Sequence, residues 1–244
     1  MSRKIKILGV KIWDISFVQA KKMIGDFLKG QEPKLIVTPN PEILLQARKN
    51  KAYQNCLNAA DLALPDGFGL RLFSKLKHTV TGVDITAEIL KMANSQQLAV
   101  LCIVRQDGLS SLAMVVDAGK KLAPQARFLG WEVSKKDSLI SNEANFQNFL
   151  AKNSDFKPSV ILVGLGFPEQ ELWLKKYLSL IKTAKIGLGV GGVFDFWTNK
   201  AKRAPKWLRA VHLEWLWRFV TQPRRIKRIF RALVVFPLTH LIYS

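Results

Sequence analysis

Short apolar runs alternate with helix-length segments over the first 195 residues of the chain. Five of these runs have the composition of buried strands: residues 34–38, 61–64, 98–104, 159–164 and 185–190. The first run is followed by a turn and by a stretch of helical character, residues 42–60. Repetition of strand, polar turn, helix and strand is typical of a parallel sheet with crossover helices. The pattern therefore predicts an α/β domain of Rossmann-like type.

Turn-forming residues follow directly after four of the five predicted strands. The turns read TPNPE after the first strand, LPDGFG after the second, GLGFPEQE after the fourth and GVGG after the fifth. The carboxyl ends of parallel strands meet at one edge of a sheet, and open α/β sheets bind their ligands there. We therefore expect these four turns to form a ligand crevice.

Beyond Thr198 the apolar positions recur with the period of a helix, until Pro223 interrupts them. The apolar stripes are Leu208, Val211, Trp215 and Phe219 before the proline, and Ile226, Ile229, Phe230 and Leu233 after it. Basic side chains lie opposite the second stripe, as in a short amphipathic helix at a membrane surface. We therefore expect an α/β domain over residues 1–197 and a basic helical C-terminal appendage over residues 198–244.

Positive charge is concentrated in this appendage. The formal net charge of the chain is +20, and between Lys200 and Arg231 eleven basic residues accompany a single acid, Glu214. Such a segment needs an anionic partner, and a bilayer surface and a nucleic acid are the two candidates. The apolar stripes and the lack of a recognised nucleic-acid motif favour an anionic membrane surface. Nucleic-acid binding stays as an alternative, which competition between vesicles and oligonucleotides would test.

Neither a metal site nor an export signal is indicated by the sequence. Cys56 and Cys102 lie far apart without a metal-binding spacing, and no Asp-x-Asp motif occurs. We therefore expect no cofactor, no metal and a reduced, cytoplasmic compartment. The N-terminus lacks the apolar core of a signal peptide, and no apolar run approaches the about 18 residues of a transmembrane helix. The last apolar stretch, residues 232–243, is too short to span a bilayer and is interrupted by Pro237 and His240.

Asp66 is the first candidate for a catalytic residue. It follows Pro65 and precedes Gly67, at the end of a predicted buried strand, so its side chain is expected to face the crevice. A carboxylate in this position can act as general base on a substrate hydroxyl. An aspartate in a tight turn also commonly bonds its own backbone. The local sequence leaves both interpretations open.

Other polar residues and glycines follow the same predicted strands. Thr38 and Asn40 offer a hydroxyl and an amide after the first strand, and Gln170 opens a helix after GFPE. A turn asparagine or a surface glutamine without any ligand is the alternative for each amide. The glycines Gly164, Gly166, Gly191 and Gly192 suit a close approach of the backbone to a phosphate, although they match no complete nucleotide-binding fingerprint.

Seven motifs together resemble the WecG/TagA/CpsF family of glycosyltransferases. In chain order they read TPNPE, ADLALPDGFG, TGVDI, VGLGFPEQELW, GVGGVFDF, KRAPKWLR and LEWLWRFVTQPRR, between Lys34 and Arg231. The resemblance implies an inverting, membrane-associated hexosyltransferase at the inner face of the cell membrane. It would move a sugar, typically of N-acetylmannosamine type, from a UDP-sugar donor to a sugar carried on undecaprenyl diphosphate. Its products would be cell-surface polysaccharides such as teichoic acid linkage units, and a homo-oligomer is left open.

The resemblance also assigns roles to individual residues. It implies that Asp66 is the base that activates the acceptor hydroxyl, with Thr38 and Asn40 beside it, and that Gln170 contacts substrate. It implies that basic residues of the appendage close over the site and meet the diphosphate or the membrane. These residues are Arg203, Arg218, Arg224, Arg225 and Arg228.

Two departures from the family pattern leave a further alternative. Thr79 stands where the family usually has an arginine, and residues 103–106, Ile-Val-Arg-Gln, replace a glycine-rich turn. The first departure removes a cation unless Arg105 or Lys77 replaces it. The second alters a turn near the expected nucleotide pocket. These departures raise two hypotheses. The chain has a changed choice of substrate, or it is an inactive relative that serves as an assembly partner.

Overall fold

The computed structural model describes residues 3–134, 143–210, 214, 216–217 and 230–243. An antiparallel hairpin of β1 (Arg3–Ile7) and β2 (Val10–Asp14) precedes a six-stranded parallel sheet. The sheet contains β3 (Lys34–Val37), β4 (Leu62–Ala63), β5 (Ala99–Arg105), β6 (Arg127–Val133), β7 (Val160–Gly164) and β8 (Ile186–Gly189). The strand order is β4-β3-β8-β7-β5-β6. The predicted α/β class with a Rossmann-like parallel sheet is confirmed.

Five strands of the sheet coincide with the five predicted runs to within two residues at either end. The hairpin and β6 are absent from the prediction. Among the described strands, β6 lies at the edge of the sheet and pairs with β5 alone. It exposes Arg127 and Glu132, so it lacks the continuous apolar run of a central strand. The hairpin alternates buried and lysine positions, and its two strands are joined at Leu8 and Gly9, both with positive φ.

Helices connect the strands. They are α1 (Phe17–Lys29), α2 (Pro41–Lys49), α3 (Lys51–Asn58), α4 (Phe68–Phe73), α5 (Gly82–Ser95), α6 (Leu112–Leu122), α7 (Glu143–Lys152), α8 (Glu169–Tyr177), α9 (Val193–Trp197) and α10 (Lys206–Ala210). A 3₁₀ turn, Leu178–Leu180, follows α8. The predicted helical character of residues 42–60 is confirmed, but the stretch forms two helices, α2 and α3. Asn50 leaves helical geometry between them, and its side chain caps α3 by accepting from the Tyr53 N–H.

The sheet separates two apolar cores. Leu35 and Val37 of β3 point into one core together with side chains of α2, α3 and α8, whereas Ile36 points into the other with side chains of α1, α5 and α6. This alternation follows from the period-two geometry of a strand, and both faces are apolar because helices cover both. The carboxyl ends of the strands therefore emerge between two helical layers.

The C-terminal part returns to the body of the molecule. A π-helical turn, Arg231–Val235, continues into α11 (Phe236–Tyr243), and both pack against α2. Phe236 is completely buried in the core that contains α2 and α3, and the Arg48 guanidinium lies 3.5 Å from the centre of the Tyr243 ring. In the parts of the chain that the structure describes, no helix is long and apolar enough to cross a membrane. Of the predicted appendage stripes, only Leu208, Phe230 and Leu233 lie within the described residues.

Candidate active site

A cavity of about 880 Å³ opens at the carboxyl edge of the sheet. Each of its walls follows a strand: Thr38 and Asn40 follow β3, Asp66 follows β4, and Arg105 ends β5. Glycines at the end of β7 and in the turns after β7 and β8 also line the cavity, and they are Gly164, Gly166, Gly191 and Gly192. The four turns singled out in the sequence thus meet around one space, which has the volume of a small-molecule site.

Thr38 and Asp66 converge on the first turn of α5. The Asp66 N–H donates to the Pro39 carbonyl at 2.9 Å, and this bond ties the turn after β4 to the turn after β3. A Cβ built on Gly82 would lie 3.1 Å from Thr38 Oγ1 and 3.6 Å from Asp66 Oδ2. The absence of a side chain at Gly82 therefore leaves room for a hydroxyl and a carboxylate to face the cavity side by side.

Asn40 combines its place in the cavity lining with a structural role. Its side-chain oxygen accepts from the Ile43 N–H at 3.0 Å and caps α2. Pro41 follows at the first helical position, where its missing N–H costs nothing. One polar atom of Asn40 is thus engaged by its own helix, and its role as a substrate contact stays a prediction.

Gln170 is buried in the cavity wall, with only 5% of its surface exposed. Its side-chain oxygen accepts from the Gly191 N–H at 2.9 Å, and its amide nitrogen donates to Glu171 Oε1 at 2.7 Å. The other oxygen of Glu171 accepts from the Tyr53 hydroxyl at 3.0 Å. Burial raises the pKa of both Glu171 and Tyr53. Both polar atoms of Gln170 therefore have protein partners, which the sequence did not indicate.

Arg203 lies beside the site rather than among the described residues that line the cavity. Its guanidinium donates to both oxygens of Asp84, at 2.7 and 2.9 Å. Burial disfavours the charged form of Asp84, but the hydrogen bonds from Arg203 and Thr81 outweigh it and lower the pKa of the carboxyl. The predicted contact of Arg203 with substrate stays a prediction. Arg218, Arg224, Arg225 and Arg228 lie outside the described residues.

Two cavity residues were missed in the sequence. Asp195 on α9 accepts a 2.7 Å hydrogen bond from the hydroxyl of Ser110, which is also within 2.7 Å of the Thr198 hydroxyl. Asp195 and Ser110 both line the cavity. The aspartate stands in GVFDF, a motif that was recognised, whereas Ser110 follows a loop that carries no such signal.

Arg105 is one of the two cations, with Lys77, that the sequence named as substitutes for the missing family arginine. It lines the cavity, but its guanidinium is already held by Asp107 at 2.9 Å and by Glu169 at 3.2 Å, and it donates to the Leu165 carbonyl. It thereby joins the end of β5 to the turn after β7. Among the described residues, no group of three potential metal ligands occurs.

The structure is an α/β fold whose cavity lies at the carboxyl edge of a parallel sheet, where such folds bind their ligands. The chain belongs to the glycosyl transferase WecG/TagA/CpsF family, whose model matches residues 5–243. The predicted family and the predicted hexosyltransferase class are confirmed. The match extends beyond the motifs quoted above, since it includes both the N-terminal hairpin and α11.

Two curated relatives carry the same name. A protein of Bacillus spizizenii is 30% identical over 208 residues, which are 83% of this chain and 77% of the relative. A protein of Staphylococcus aureus strain MRSA252 is 30% identical over 235 residues, 93% of this chain and 88% of the relative. Both are named N-acetylglucosaminyldiphosphoundecaprenol N-acetyl-beta-D-mannosaminyltransferase.

Proposed function

We propose that this chain transfers a sugar of N-acetylmannosamine type from a UDP-sugar to an acceptor sugar carried on undecaprenyl diphosphate, with inversion at the anomeric carbon. The names of the two relatives support the transferred sugar and the lipid-linked acceptor. The observation that carries the proposal is the convergence of Thr38 and Asp66 over Gly82, inside the cavity at the carboxyl edge of the sheet. Such a product would enter cell-surface polysaccharide synthesis.

Asp66 would act as the general base. Its carboxylate takes the proton of the acceptor hydroxyl while that oxygen forms a bond to the anomeric carbon of the donor. The bond between this carbon and the diphosphate oxygen breaks at the same time, and UDP leaves with the electron pair. One direct displacement inverts the configuration and needs a single base. Thr38, whose hydroxyl faces the same point, would orient the reacting groups.

The leaving diphosphate would be stabilised by backbone and basic groups around the cavity. Gly164, Gly166 and Gly192 line the cavity and permit a close approach of phosphate oxygens. Arg218, Arg224, Arg225 and Arg228 of the appendage would supply positive charge to the same diphosphate. Arg203, which forms a salt bridge with Asp84 at the start of α5, would anchor the appendage beside Asp66, the proposed base.

The C-terminal helix, which comprises Phe230, the π-helical turn and α11, supports peripheral attachment to an anionic membrane. Phe230, Val234, Leu238 and Leu241 are exposed and recur at spacings of four, four and three, so they form one apolar stripe. Phe236 points the opposite way, into the core. An exposed apolar stripe on a chain of formal charge +20 fits an anionic lipid surface. We propose that this attachment is at the inner face of the membrane, where a lipid-linked acceptor would be reached.

The chain just before α11 approaches a turn whose Asn40 lines the cavity. A Cβ on Gly69 would lie 3.5 Å from the Pro41 ring and 3.9 Å from the Ala232 carbonyl, so the start of the C-terminal helix is close to the turn after β3. A bilayer that covers the apolar stripe would thus present the diphosphate of an embedded acceptor near the rim of the cavity.

UDP release from UDP-N-acetylmannosamine tests the proposal, measured with and without a synthetic polyprenyl-diphosphate-N-acetylglucosamine acceptor. Acceptor-dependent release would support the donor and the acceptor together, and the proton NMR spectrum of the product would report whether the linkage is inverted. UDP release at the same rate with and without the acceptor would contradict the proposal. So would the absence of UDP release with every UDP-sugar tested.

A further inference from the structure

A buried series of three hydrogen bonds runs from α3 to the turn after β8. The Tyr53 hydroxyl donates to Glu171 Oε2 at 3.0 Å, the Gln170 amide nitrogen donates to Glu171 Oε1 at 2.7 Å, and the Gly191 N–H donates to Gln170 Oε1 at 2.9 Å. Tyr53 is completely buried, and Glu171 and Gln170 are nearly so. The series therefore joins a helix on one side of the sheet to the wall of the cavity.

The Gln170 amide has only one consistent orientation in this series. The Gly191 N–H can only donate, so the Gln170 oxygen must face it, and the Gln170 NH₂ group must then face Glu171. Glu171 receives donors on both oxygens, from Gln170 and from Tyr53. Loss of the Tyr53 hydroxyl would leave one of these buried oxygens without its donor and weaken the restraint on the Gln170 amide.

The turn at the end of the series is shaped by Gln170. Gly191 has φ of +53°, in the left-handed region that disfavours residues with a Cβ. A Cβ on Gly189 would lie only 2.7 Å from the Gln170 amide nitrogen, so this side chain packs directly beneath the strand end. Gly191 and Gly192 line the cavity. A change in the Gln170 amide would therefore move the cavity wall.

We propose that Tyr53 and Glu171 are positioning residues, which act through Gln170 to hold the Gly191–Gly192 turn in the form that binds the diphosphate of the donor. The role of the turn in donor binding rests on the proposed function. In this arrangement Gln170 supports the backbone of the site. Tyr53 and Glu171 never touch the substrate.

A first experiment observes the turn without any substrate. The full chain is labelled with ¹⁵N-glycine and ¹³C-carbonyl-valine, which selects the two glycines that follow a valine, Gly164 and Gly191. In Tyr53→Phe we expect the Gly191 amide signal to shift while that of Gly164 stays in place. Tyr177→Phe is the matched control, because Tyr177 is also buried but its hydroxyl pairs with Lys176. An unmoved Gly191 signal in Tyr53→Phe would overturn the proposal, even if the enzyme were inactive on every donor.

A second experiment separates donor binding from chemistry. Weaker binding in both ground and transition states raises KM and leaves kcat nearly unchanged. We expect the donor KM to rise about tenfold in Tyr53→Phe and in Glu171→Ala. Glu171→Gln keeps an oxygen that accepts from Gln170, so we expect its KM to stay closer to that of the wild type. A purely structural role would lower thermal stability and the active fraction without moving KM, and that result in Tyr53→Phe would overturn the proposal.

Discussion

The Arg203 guanidinium donates two parallel hydrogen bonds, 2.7 and 2.9 Å long, to the Asp84 carboxylate, although the two residues are 119 positions apart in the chain. Asp84 lies in the first turn of α5, two residues after Gly82, and Gly82 borders Thr38 and Asp66. The start of the appendage is thereby attached to the same helix end that frames the candidate base.

Arg203→Lys should loosen this attachment while keeping the charge. Lysine cannot form the forked pair of bonds, so we expect a loss of about 1 kcal/mol in the free energy of unfolding, with Asp84 part-exposed. Urea titration of the variant measures the loss. An unchanged unfolding midpoint and slope would contradict the assigned role of the pair.

The same ion pair predicts a dependence on pH. The pKa of Asp84 is lower in the folded protein than its ordinary value of 3.8. Its contribution is therefore fully present above that value and is lost as the pH falls through the folded pKa. We expect the difference in unfolding free energy between wild type and Asp84→Asn to be constant at neutral pH and to shrink in strong acid. A difference that disappears between pH 8 and pH 6 would point to another group.

Gly82→Ala should lower the catalytic activity more than the stability of the fold. The added methyl group would lie 3.1 Å from Thr38 Oγ1, which must shift by a few tenths of an ångström. We expect kcat to fall about tenfold, because small displacements of reacting groups are costly to the rate. Gly25→Ala is the control, since nothing lies within 4 Å of its added methyl group. Equal kcat values in the two variants would argue against a reacting centre over Gly82.

Introducing negative charge into the apolar stripe of the C-terminal helix tests membrane attachment. Leu241 is 81% exposed, so Leu241→Glu together with Leu238→Glu should leave the fold unchanged. We expect binding to anionic vesicles to weaken at least about tenfold, from lost apolar burial and added negative charge. Leu122→Glu makes the same change at an exposed leucine of α6. Co-sedimentation that is equal in all three proteins would exclude this stripe as the lipid contact.

The sequence predicted the centre of the sheet better than its margins. β5 and β7 are almost entirely buried, so their apolar runs were unmistakable. The edge strand β6 and the β1–β2 hairpin carry exposed charged side chains, which dilute that signal. The break at Asn50 was missed because a capping asparagine within a polar helical stretch looks the same as a helix-surface residue.

The location of the cavity was predicted from the sequence, but the contacts around it were not. Thr38 and Asp66 could be placed because each ends a strand, and strand ends share one edge of the sheet. Glu171, which holds the Gln170 amide, is paired with Tyr53, 118 positions away in the chain. Arg203 is paired with Asp84, 119 positions away. No local sequence pattern indicates such long-range pairs, so these positioning roles can be inferred only from the folded structure.

The most direct test of the central claim is the kcat for acceptor-dependent UDP release in Asp66→Asn, compared with Asp117→Asn. Asp117 is an exposed aspartate of α6, so the control makes the same change in charge away from the cavity. We predict a fall of about 10²–10⁴-fold for Asp66→Asn, an unchanged thermal midpoint, and wild-type turnover for Asp117→Asn. Turnover within a factor of about three of the wild type in a folded Asp66→Asn would contradict the assignment of Asp66 as the base.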